Sequence, residues 1–237
     1  MKLFADDKIL MGFSDSSDGD LSFYNMTASQ AYQAWNSLAV VKQNSLRAPA
    51  WAIQVHEKRV LPVRIFSASL LTEQADALIT DLLDQPVGVF SADCLPILIY
   101  NSRVCAAVHA GWRSTRQNIA AAAVQAFSDH YQQNLAGLKA YIGPCIGKCC
   151  LEMGDEVYDE FVGEDREYAA FFVRRNKWHL DLRALNRFQL VRAGVKNENI
   201  NDLDSCTFCH ADEYYSFRRQ RQRNGSMFSF IVNRRDN

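Results

Sequence analysis

Two long apolar runs separated by a short polar turn constrain the fold of this chain more than any other feature. The first run covers residues 87–100 and the second covers residues 103–109, with the polar pair 101–102 between them. Such a pattern is typical of a β-hairpin with a two-residue turn. In that register Cys94 lies directly opposite His109, with Cβ atoms about 4.5–5.5 Å apart. A thiol and an imidazole at that distance can bind one metal ion or share one proton.

The remaining residues show strand and helix patterns without the regular order of a doubly wound sheet. Alternating or apolar runs predict strands at residues 9–13, 51–56, 59–64, 75–80, 138–143 and 178–182. Pro62 suits the third of these to a sheet edge. Helices are predicted at residues 28–35, 114–133, 154–162 and 184–193, with Ser114 or Thr115 as the N-cap of the second. A closing hairpin around Asn224-Gly225 is predicted to join residues 213–219 to residues 227–233.

These elements predict an α+β (mixed α/β) fold in which mixed β-sheets are flanked by helices. No linker-like stretch and no internal repeat divides the 237 residues, so one domain over residues 1–237 is expected. Residues 1–50 are its least legible part. A hydrophobic content of 48% with 22% charged residues is ordinary for a globular protein with a sizeable core.

Charge and cysteine content indicate the compartment and exclude some partners. The net charge of −1 gives no general attraction to nucleic acid or to an anionic membrane. The first residues lack the apolar segment of a signal peptide, and no apolar run is long enough to span a bilayer. A cytoplasmic protein is therefore expected. Its seven cysteines are then thiols or metal ligands rather than a disulfide framework.

His56, Cys94 and His109 form a candidate set of three metal ligands. Thiolate and imidazole suit Zn²⁺, and three protein ligands with an open fourth position are typical of a catalytic site. Asp93, beside the thiol, points to the opposite face of the predicted strand. The alternative is a buried apolar thiol with each histidine satisfied by a local hydrogen bond.

The residues after His109 indicate an anion site. Gly111-Trp112-Arg113 leads into the long predicted helix, whose N-terminal N–H groups and dipole favour an anion. The guanidinium of Arg113 suits phosphate. An ordinary first-turn arginine paired with a carboxylate is the alternative.

Five motifs occur in the order found in a known family. They are Ser-Ala-Asp-Cys-Leu-Pro at 91–96, Ala-Ala-Val-His-Ala-Gly-Trp-Arg at 106–113, Tyr-Ile-Gly-Pro-Cys-Ile-Gly at 141–147 followed by Cys149-Cys150, Leu-Asp-Leu at 180–182 with Asn186 and Gln189, and Cys206-Thr207 with Tyr-Ser-Phe-Arg-Arg at 215–219. Over roughly residues 51–232 the chain resembles the YfiH-type laccase-domain family of purine nucleoside phosphorylases.

The resemblance implies zinc held by His56, Cys94 and His109. It also implies phosphorolysis of adenosine, inosine, guanosine and methylthioadenosine, with adenosine deamination as a further activity. The implied fold is a mixed α/β one, shared distantly with toxin deamidases that use a Cys–His pair. On this basis Cys94, His109, Asp93 and Arg113 are the expected catalytic residues. The expected partners are a nucleoside and phosphate, bound by a monomer or small homo-oligomer.

The chain departs from the family pattern near the expected substrate contacts. Asn44 is followed by serine where the family has arginine, and the stretch after Arg218 is Arg-Gln-Arg-Gln-Arg rather than the family's Arg-Asp-Gly. We expect Arg113, Asn44 and Arg218 to contact phosphate or substrate. The basic run 218–223 is expected to be a solvated arm rather than a nucleic-acid site, because no aromatic platform accompanies it.

Two other activities are compatible with these residues. One is a hydrolase or amidase acting on peptidoglycan precursors, with Cys94 as nucleophile and His109 as base. The other is a copper-dependent polyphenol oxidase, since copper also binds N/S sites. Five histidines are too few for the histidine-rich trinuclear cluster of a multicopper oxidase, which disfavours that activity.

A second, structural zinc site is a further possibility. Its candidate ligands include one Cys-x₂-Cys pair, but the spacing of the others is irregular, so reduced and partly buried thiols are preferred. The candidates are Cys145, Cys149, Cys150, Cys206, Cys209 and His210.

Overall fold

The computed structural model describes residues 1–65, 72–222 and 225–235, and in them thirteen strands form three sheets. The strands are β1 (Lys2–Asp6), β2 (Ile9–Phe13), β3 (Val60–Pro62), β4 (Ala77–Thr80), β5 (Val87–Ser91), β6 (Leu95–Tyr100), β7 (Cys105–Ala110), β8 (Lys139–Ile142), β9 (Glu152–Met153), β10 (Phe172–Arg174), β11 (Trp178–Leu180), β12 (Ile200–Asp202) and β13 (Met227–Asn233). The α-helices are α1 (Ala28–Ser37), α2 (Ala39–Asn44), α3 (Trp112–Arg116), α4 (Ile119–Tyr131), α5 (Asp155–Glu164), α6 (Leu182–Arg192) and α7 (Phe217–Gln220).

Two of the sheets are large and the third is small. The first has the strand order β1-β2-β13-β5 and is wholly antiparallel. The second has the order β12-β8-β6-β7-β4-β3 and is mixed, because its two outermost pairs are parallel. A small antiparallel sheet follows the order β10-β11-β9. This is the mixed α+β architecture that the sequence predicts.

The two large sheets pack face to face, and each carries helices on its outer side. Alternate residues of β6 show why: Leu98 packs between the sheets, whereas Ile97 and Ile99 pack toward α4 and α6. On the other sheet, Val89 faces the partner sheet and Phe90 faces α1 and α2. The layers are therefore helix, sheet, sheet and helix, and strands with both faces buried explain the continuous apolar runs.

Most predicted elements are confirmed within a few residues. Strands lie at the predicted positions near residues 9–13, 138–143 and 178–182, and helices near 28–35, 154–162 and 184–193. β3 is an edge strand, as Pro62 predicts. After α6, Gly194 adopts a φ of +108°, a conformation that glycine allows at a helix end.

The turn between β6 and β7 lies one residue further along the chain than predicted. The Asn101 N–H donates to the Val104 carbonyl at 3.0 Å, so Ser102 and Arg103 are the two central turn residues. The Asn101 side-chain oxygen also accepts hydrogen bonds from the backbone N–H groups of Arg103 and Val104, at 2.9 and 2.8 Å. Asparagine is favoured in such turns because its side chain can bond the backbone two residues further on. The predicted turn length is therefore right, but the predicted turn position at residues 101–102 is wrong.

This displacement of the turn shifts the pairing of the two strands by two residues. Leu95 pairs with Ala110, so Cys94 lies opposite Gly111 rather than opposite His109. A shift of two residues leaves every side chain on its original face, because side chains alternate with a period of two. Cys94 and His109 are thus diagonal neighbours on one face, which still lie within reach of each other.

The predicted helix at 114–133 is two helices, α3 and α4. The chain turns between them at Asn118, whose φ of +65° lies outside the helical region. The predicted cap is also wrong: Gly111 precedes the first helical residue, and Ser114 bonds the carbonyls of His109 and Gly111 from inside the first turn. Asparagine tolerates the left-handed conformation better than most residues, which explains the break at that position.

Two predicted strand segments are also wrong. Residues 51–56 run extended but form only an isolated bridge at Ile53, and the side chain of Gln54 bonds the backbone of Phe90 in place of a strand ladder. Residues 213–219 do not pair with β13, which lies between β2 and β5. The predicted turn residue Asn224 lies outside the described residues.

Among the α-helices of the described ranges, none combines the length and apolar character needed to cross a membrane.

Candidate metal centre and cavity

His56, Cys94 and His109 lie together at one end of the space between the two large sheets. One ligand atom from each lies within 4.8 Å of the others. The Cys94 sulfur is 3.8 Å from Nε2 of His56, and the two imidazole rings meet edge to face at 4.8 Å between centroids. These distances are short enough for the three predicted side chains to hold one metal ion.

A single buried carboxylate, Asp76, holds two of the three side chains in place. Its Oδ1 is 2.8 Å from Nδ1 of His109. Its Oδ2 accepts hydrogen bonds from the backbone N–H groups of Val55 and Glu57, at 3.1 and 2.8 Å. Those two amides flank His56, whose φ of +63° is a strained conformation that the carboxylate stabilises.

Asp76 also fixes the chemistry of His109. Because Nδ1 of that ring donates to the carboxylate, Nε2 is the nitrogen that remains for a metal ion or for the thiol. A carboxylate behind a ligating imidazole is the usual outer partner of a histidine–zinc bond, since it fixes the tautomer and raises ligand basicity. Burial opposes ionisation of Asp76, but the bond to His109 and the two amides outweigh it and lower the pKa of the carboxyl.

Gly111 leaves room for the site because it has no side chain. A Cβ at this position would lie 2.8 Å from Cδ2 of His56 and 3.0 Å from the sulfur of Cys94. The backbone φ of −72° is one that any residue adopts, so the need for glycine here comes from space and not from conformation. The β6–β7 register places this residue opposite Cys94, as described above.

Mutual charge stabilisation favours the ionised forms of Cys94 and His109. Burial opposes ionisation of the thiol, but the two imidazoles outweigh it and lower the pKa of Cys94 to about 6. For His109, burial opposes the charged ring, but Cys94 and Asp76 outweigh it and raise the pKa to about 9. A thiolate beside neutral or charged imidazole is what a metal ion or a nucleophilic mechanism requires.

The donor set fits a zinc-like ion. One thiolate and two imidazoles are among the preferred ligands of Zn²⁺, and three protein ligands leave a fourth position for water or substrate. The carboxylate behind His109 supplies the expected outer partner. His56, Cys94 and His109 thus have the chemistry and the support of a metal centre that is open on one side.

A cavity of about 580 Å³ opens beside the three side chains. This volume lies within the range of small-molecule sites, which is about 300–1,000 Å³. Its walls are mostly apolar and aromatic, with a few polar groups. They include Trp51, Phe90, Trp112, Ile146, Leu151, Leu182 and Phe217 as apolar members, and Asp93, Arg113 and Arg218 as charged members.

Arg113 and Arg218 stand on the cavity wall, and their contact to phosphate or substrate stays a prediction. Arg113 is exposed, and its guanidinium lies over the ring of Trp112 at 4.2 Å. Within residues 1–65, 72–222 and 225–235, no carboxylate lies within ion-pair distance of Arg113. The Arg218 guanidinium donates instead to the backbone carbonyl of Glu152, at 3.2 Å.

Asp93 lies in the bend before β6, where the predicted strand alternation does not apply, and it lines the same cavity as the three ligands. Its buried carboxylate accepts hydrogen bonds from the Thr207 hydroxyl at 2.7 Å and from the Arg218 backbone N–H at 2.6 Å. Its own φ is +92°. Asp93 therefore connects the loop before β6 to the segment that carries Arg218.

The structure does not bring Asn44 to this cavity. Asn44 ends α2, and its side-chain amide donates to the carbonyl of Val40 in the same helix, at 2.9 Å. It is absent from the described residues that line the cavity.

The sequence prediction missed two residues that organise the site, Asp76 and Thr207. Asp76 is an isolated acid at the start of an apolar strand, and a buried carboxylate must be paired or hydrogen-bonded. The isolated acid in an apolar strand is therefore a sequence feature that indicates a functional residue. Thr207 carries no comparable signal, because its partner Asp93 is 114 positions away in the sequence.

The family model for the multi-copper polyphenol oxidoreductase laccases matches residues 20–234. The chain belongs to this family. Two curated relatives of this laccase-domain family are purine nucleoside phosphorylases, and each is 34% identical to this chain. That of Clostridium acetobutylicum aligns over 67% of this chain and 67% of its own length. YfiH of Escherichia coli aligns over 77% of this chain and 73% of its own.

A third laccase-domain relative bears a different name, and solved structures share the fold. Adenosine deaminase RL5, from an unknown prokaryotic organism, is 35% identical over 76% of this chain and 70% of its own length. The crystal structure of Bacillus licheniformis YfiH superposes with a TM-score of 0.84 at 27% identity, over 95% of this chain and 93% of that one. YlmD of Geobacillus stearothermophilus gives 0.82 at 23% identity, over 97% and 93%, and shows the fold. These three relatives thus bear the names of enzymes that act on purine nucleosides.

We expect Asp76→Asn to weaken zinc binding at this site by about 10–100-fold, the usual effect of losing an outer partner of a metal ligand. An amide has one acceptor oxygen, so either His109 or the turn around His56 loses its partner. Zinc affinity measured by competition with a chelator checks this. Asp81→Asn, just beyond the other end of β4, is the control and should bind zinc normally. Equal zinc affinity in both variants would contradict the role of Asp76.

Proposed function

We propose that this laccase-domain protein is a zinc-dependent purine nucleoside phosphorylase, which converts a purine nucleoside and phosphate to the free base and ribose 1-phosphate. One observation supports this most strongly: an open three-ligand group lies in the same cavity as a cationic side chain without an acidic partner among the described residues. The names of the relatives agree with it.

His56, Cys94 and His109 would hold the metal. When bound, a zinc ion with an open position supplies a Lewis acid that polarises an oxygen of substrate or water. Asp76 keeps Nε2 of His109 directed into the site and maintains the strained backbone of His56. The three side chains are thus preorganised, which lowers the cost of binding an ion and a substrate together.

Arg113 would bind the phosphate. Its guanidinium presents a fork of N–H groups that matches two phosphate oxygens, and stacking on Trp112 limits its freedom before phosphate arrives. In the reaction a phosphate oxygen forms a bond to C1′ of the ribose while the C1′–N bond to the purine breaks, and the departing base takes up a proton. Arg113 holds the nucleophile on one side of C1′.

The apolar wall of the cavity would bind the base. Phe217 is 52% exposed although it lines the cavity, and Trp51 and Phe90 pack edge to face at 6.1 Å on that wall. Aromatic rings supply a flat surface on which a purine can stack. Asp93 acts through the backbone N–H of Arg218 and positions the segment that carries Phe217.

A product analysis tests the proposal. Purified holoenzyme is incubated with inosine, with and without phosphate, and the products are separated by chromatography. We expect hypoxanthine and ribose 1-phosphate in equal amounts only when phosphate is present. Release of hypoxanthine with free ribose in the absence of phosphate would contradict phosphorolysis and indicate a hydrolase.

The same assay with adenosine tests a second activity at this site. One relative is named adenosine deaminase, and a metal with an open position is able to activate water for deamination. We propose deamination as a side activity. Inosine formed from adenosine without phosphate supports it, whereas adenine as the sole product contradicts it.

We expect Arg113→Ala to raise the KM for phosphate by about 10–100-fold while changing the KM for the nucleoside little. Loss of a hydrogen-bonded charge costs about 1.5–3 kcal/mol, which corresponds to this range. Initial rates at varied phosphate check it. Arg113→Lys, which keeps the charge but loses the fork, should lie between wild type and Arg113→Ala. An unchanged KM for phosphate would remove Arg113 from the phosphate site.

In space, Asp76 contacts His109 and His109 lies beside Cys94. This arrangement also favours a second candidate function, the cysteine hydrolase or amidase acting on peptidoglycan precursors. An acid behind an imidazole beside a thiol is the arrangement of cysteine nucleophiles. A zinc-bound thiolate is not a free nucleophile, so the two candidates exclude each other at this residue. Selective alkylation of Cys94 in protein as purified, with loss of activity, would support the hydrolase.

Copper-dependent oxidation is disfavoured by the ligand inventory. Only two of the five histidines belong to a ligand group, and all five lie in the described residues. A trinuclear copper cluster requires many more. We place the protein in the cytoplasm, since none of the seven cysteines, all of which lie in the described residues, forms a disulfide, as in a reducing compartment.

A further inference from the structure

Four cysteines from two distant segments of the chain meet in a group that is separate from the metal centre. They come from two loops, and their sulfur atoms all lie within 4.8 Å of one another. The four residues, which we call the four-cysteine cluster, are Cys149, Cys150, Cys206 and Cys209.

The spacing of the sulfurs is that of a tetrahedral metal site. The Sγ–Sγ distances are 3.5 Å for Cys149–Cys150, 3.6 Å for Cys149–Cys206, 3.7 Å for Cys149–Cys209 and 3.4 Å for Cys150–Cys209. Four sulfurs at about 2.3 Å from a central zinc ion lie about 3.8 Å apart. Disulfide-bonded sulfurs lie at about 2.05 Å, so no pair in the cluster is bonded.

The surroundings of the cluster are not those of buried apolar thiols, and Cys206 receives amide donors suited to a thiolate. Cys149 and Cys209 are exposed, so packing does not account for bringing the sulfurs together. The backbone N–H of Gly147 donates to the sulfur of Cys206 at 3.2 Å, and the N–H of Cys209 also faces that sulfur. Such amide donors compensate the negative charge of metal-bound thiolates. The Cys-x₂-Cys spacing of 206 and 209 is a usual one for zinc.

The other two candidate ligands lie outside the cluster. Cys145 is fully buried, and its sulfur contacts the Ile146 carbonyl and the Arg183 guanidinium. His210 directs Nδ1 toward the backbone carbonyl of Cys206, at 3.0 Å. The irregular spacing that disfavours a second zinc site is that between Cys145 and Cys149, and Cys145 is not part of the cluster, whose other pair is vicinal.

We propose that the four-cysteine cluster binds a second, structural Zn²⁺ ion that ties the loop 147–151 to the loop 205–210. All four positions are filled by protein, as in structural rather than catalytic zinc sites. The second loop carries Thr207, whose hydroxyl bonds Asp93, and the first carries Leu151 of the cavity wall. The ion would therefore hold the floor of the cavity in place without contacting substrate.

Metal stoichiometry tests the proposal independently of any activity. Zinc is counted by native mass spectrometry in wild type, in Cys94→Ala and in the double variant Cys206→Ser/Cys209→Ser, each purified under reducing conditions. We expect two, one and one ions per chain. Cys105→Ala, which removes a buried thiol outside both groups, is the control and should keep two. A Cys94→Ala protein without zinc, or with iron in its place, would overturn the assignment.

A second measurement uses the wild-type protein alone, so it does not depend on the folding of a variant. Alkylation of Cys149 and Cys209 by iodoacetamide is followed by peptide mapping before and after treatment with a chelator. We expect these exposed thiols to be protected at first and to react at least about tenfold faster once the metal is removed. Fast alkylation without chelator, or a disulfide among the four cysteines, would overturn the proposal.

Discussion

Cys94→Ala is expected to abolish ribose 1-phosphate formation from inosine and to remove one zinc ion per chain. The thiolate is the only anionic ligand of the three-residue group, and without it two imidazoles hold the ion weakly. A metal ion contributes several kcal/mol of transition-state stabilisation, so we expect kcat/KM to fall by about 10³-fold or more. Steady-state kinetics and metal analysis of the same preparation check this.

The matched control is Cys105→Ala, which lies on β7 and also faces the space between the sheets. It removes a thiol of the same element without touching the site, so activity and zinc content should match wild type. Full phosphorolysis by Cys94→Ala would exclude a catalytic metal at this site. Loss of zinc with full activity would separate the metal from the reaction.

Gly111→Ala is expected to impair the site almost as strongly while leaving the fold intact. The added methyl group would lie 2.8 Å from the His56 ring and 3.0 Å from the Cys94 sulfur, and both must move. A displacement of about 1 Å in a reacting arrangement costs about 10²-fold in rate. The backbone conformation suits alanine, so the melting temperature should change little. Kinetics, zinc affinity and thermal unfolding together check this.

The control is Gly163→Ala in α5, where a new Cβ meets no atom within 4 Å. Alanine there raises helix propensity and should slightly stabilise the protein, with no change in activity. If Gly111→Ala binds zinc and turns over like Gly163→Ala, the open space at Gly111 is not required by the site.

The local parts of the fold were predictable because their causes are local. Alternating apolar residues predict β2 and β11, and a glycine after the last apolar turn predicts the end of α6. The same is true of the ligands. Cys94 and His109 lie on one face of the sheet in either register, because side chains alternate with a period of two and the pairing changed by two residues. The prediction that Cys94 and His109 lie close together is therefore correct although the predicted register is wrong.

The parts that failed depend on single side chains making backbone contacts. Asn101 bonds two backbone amides in a turn that lies one residue further along than predicted, and Asn118 breaks the predicted long helix by taking a left-handed conformation. Neither effect changes the hydrophobic periodicity of the sequence, so periodicity does not reveal them. His56 was assigned to a strand end, whereas Asp76 and the side chain of Gln54 hold its segment without strand pairing.

The pattern of apolar and polar residues does not predict contacts between segments that are distant along the chain. Thr207 and Asp93 meet across 114 positions, and the four-cysteine cluster joins loops separated by more than 50 residues. Spacing rules detect ligands that share one turn, such as residues 206 and 209, but a pair supplied by another loop becomes visible only after folding. The structure places Asn44 at the end of α2, outside the cavity lining, and the order of motifs in a family does not indicate where such a helix end lies.

The position of β13 has a consequence for how the protein is made. This strand follows every other strand along the chain, yet it lies in the interior of its sheet, between β2 and β5. During synthesis β2 and β5 therefore each keep an unpaired edge until β13 has left the ribosome. Open strand edges promote association with other chains. The nascent protein should accordingly depend on chaperones or fast translation at its late stage, and an interruption there would leave an aggregation-prone intermediate.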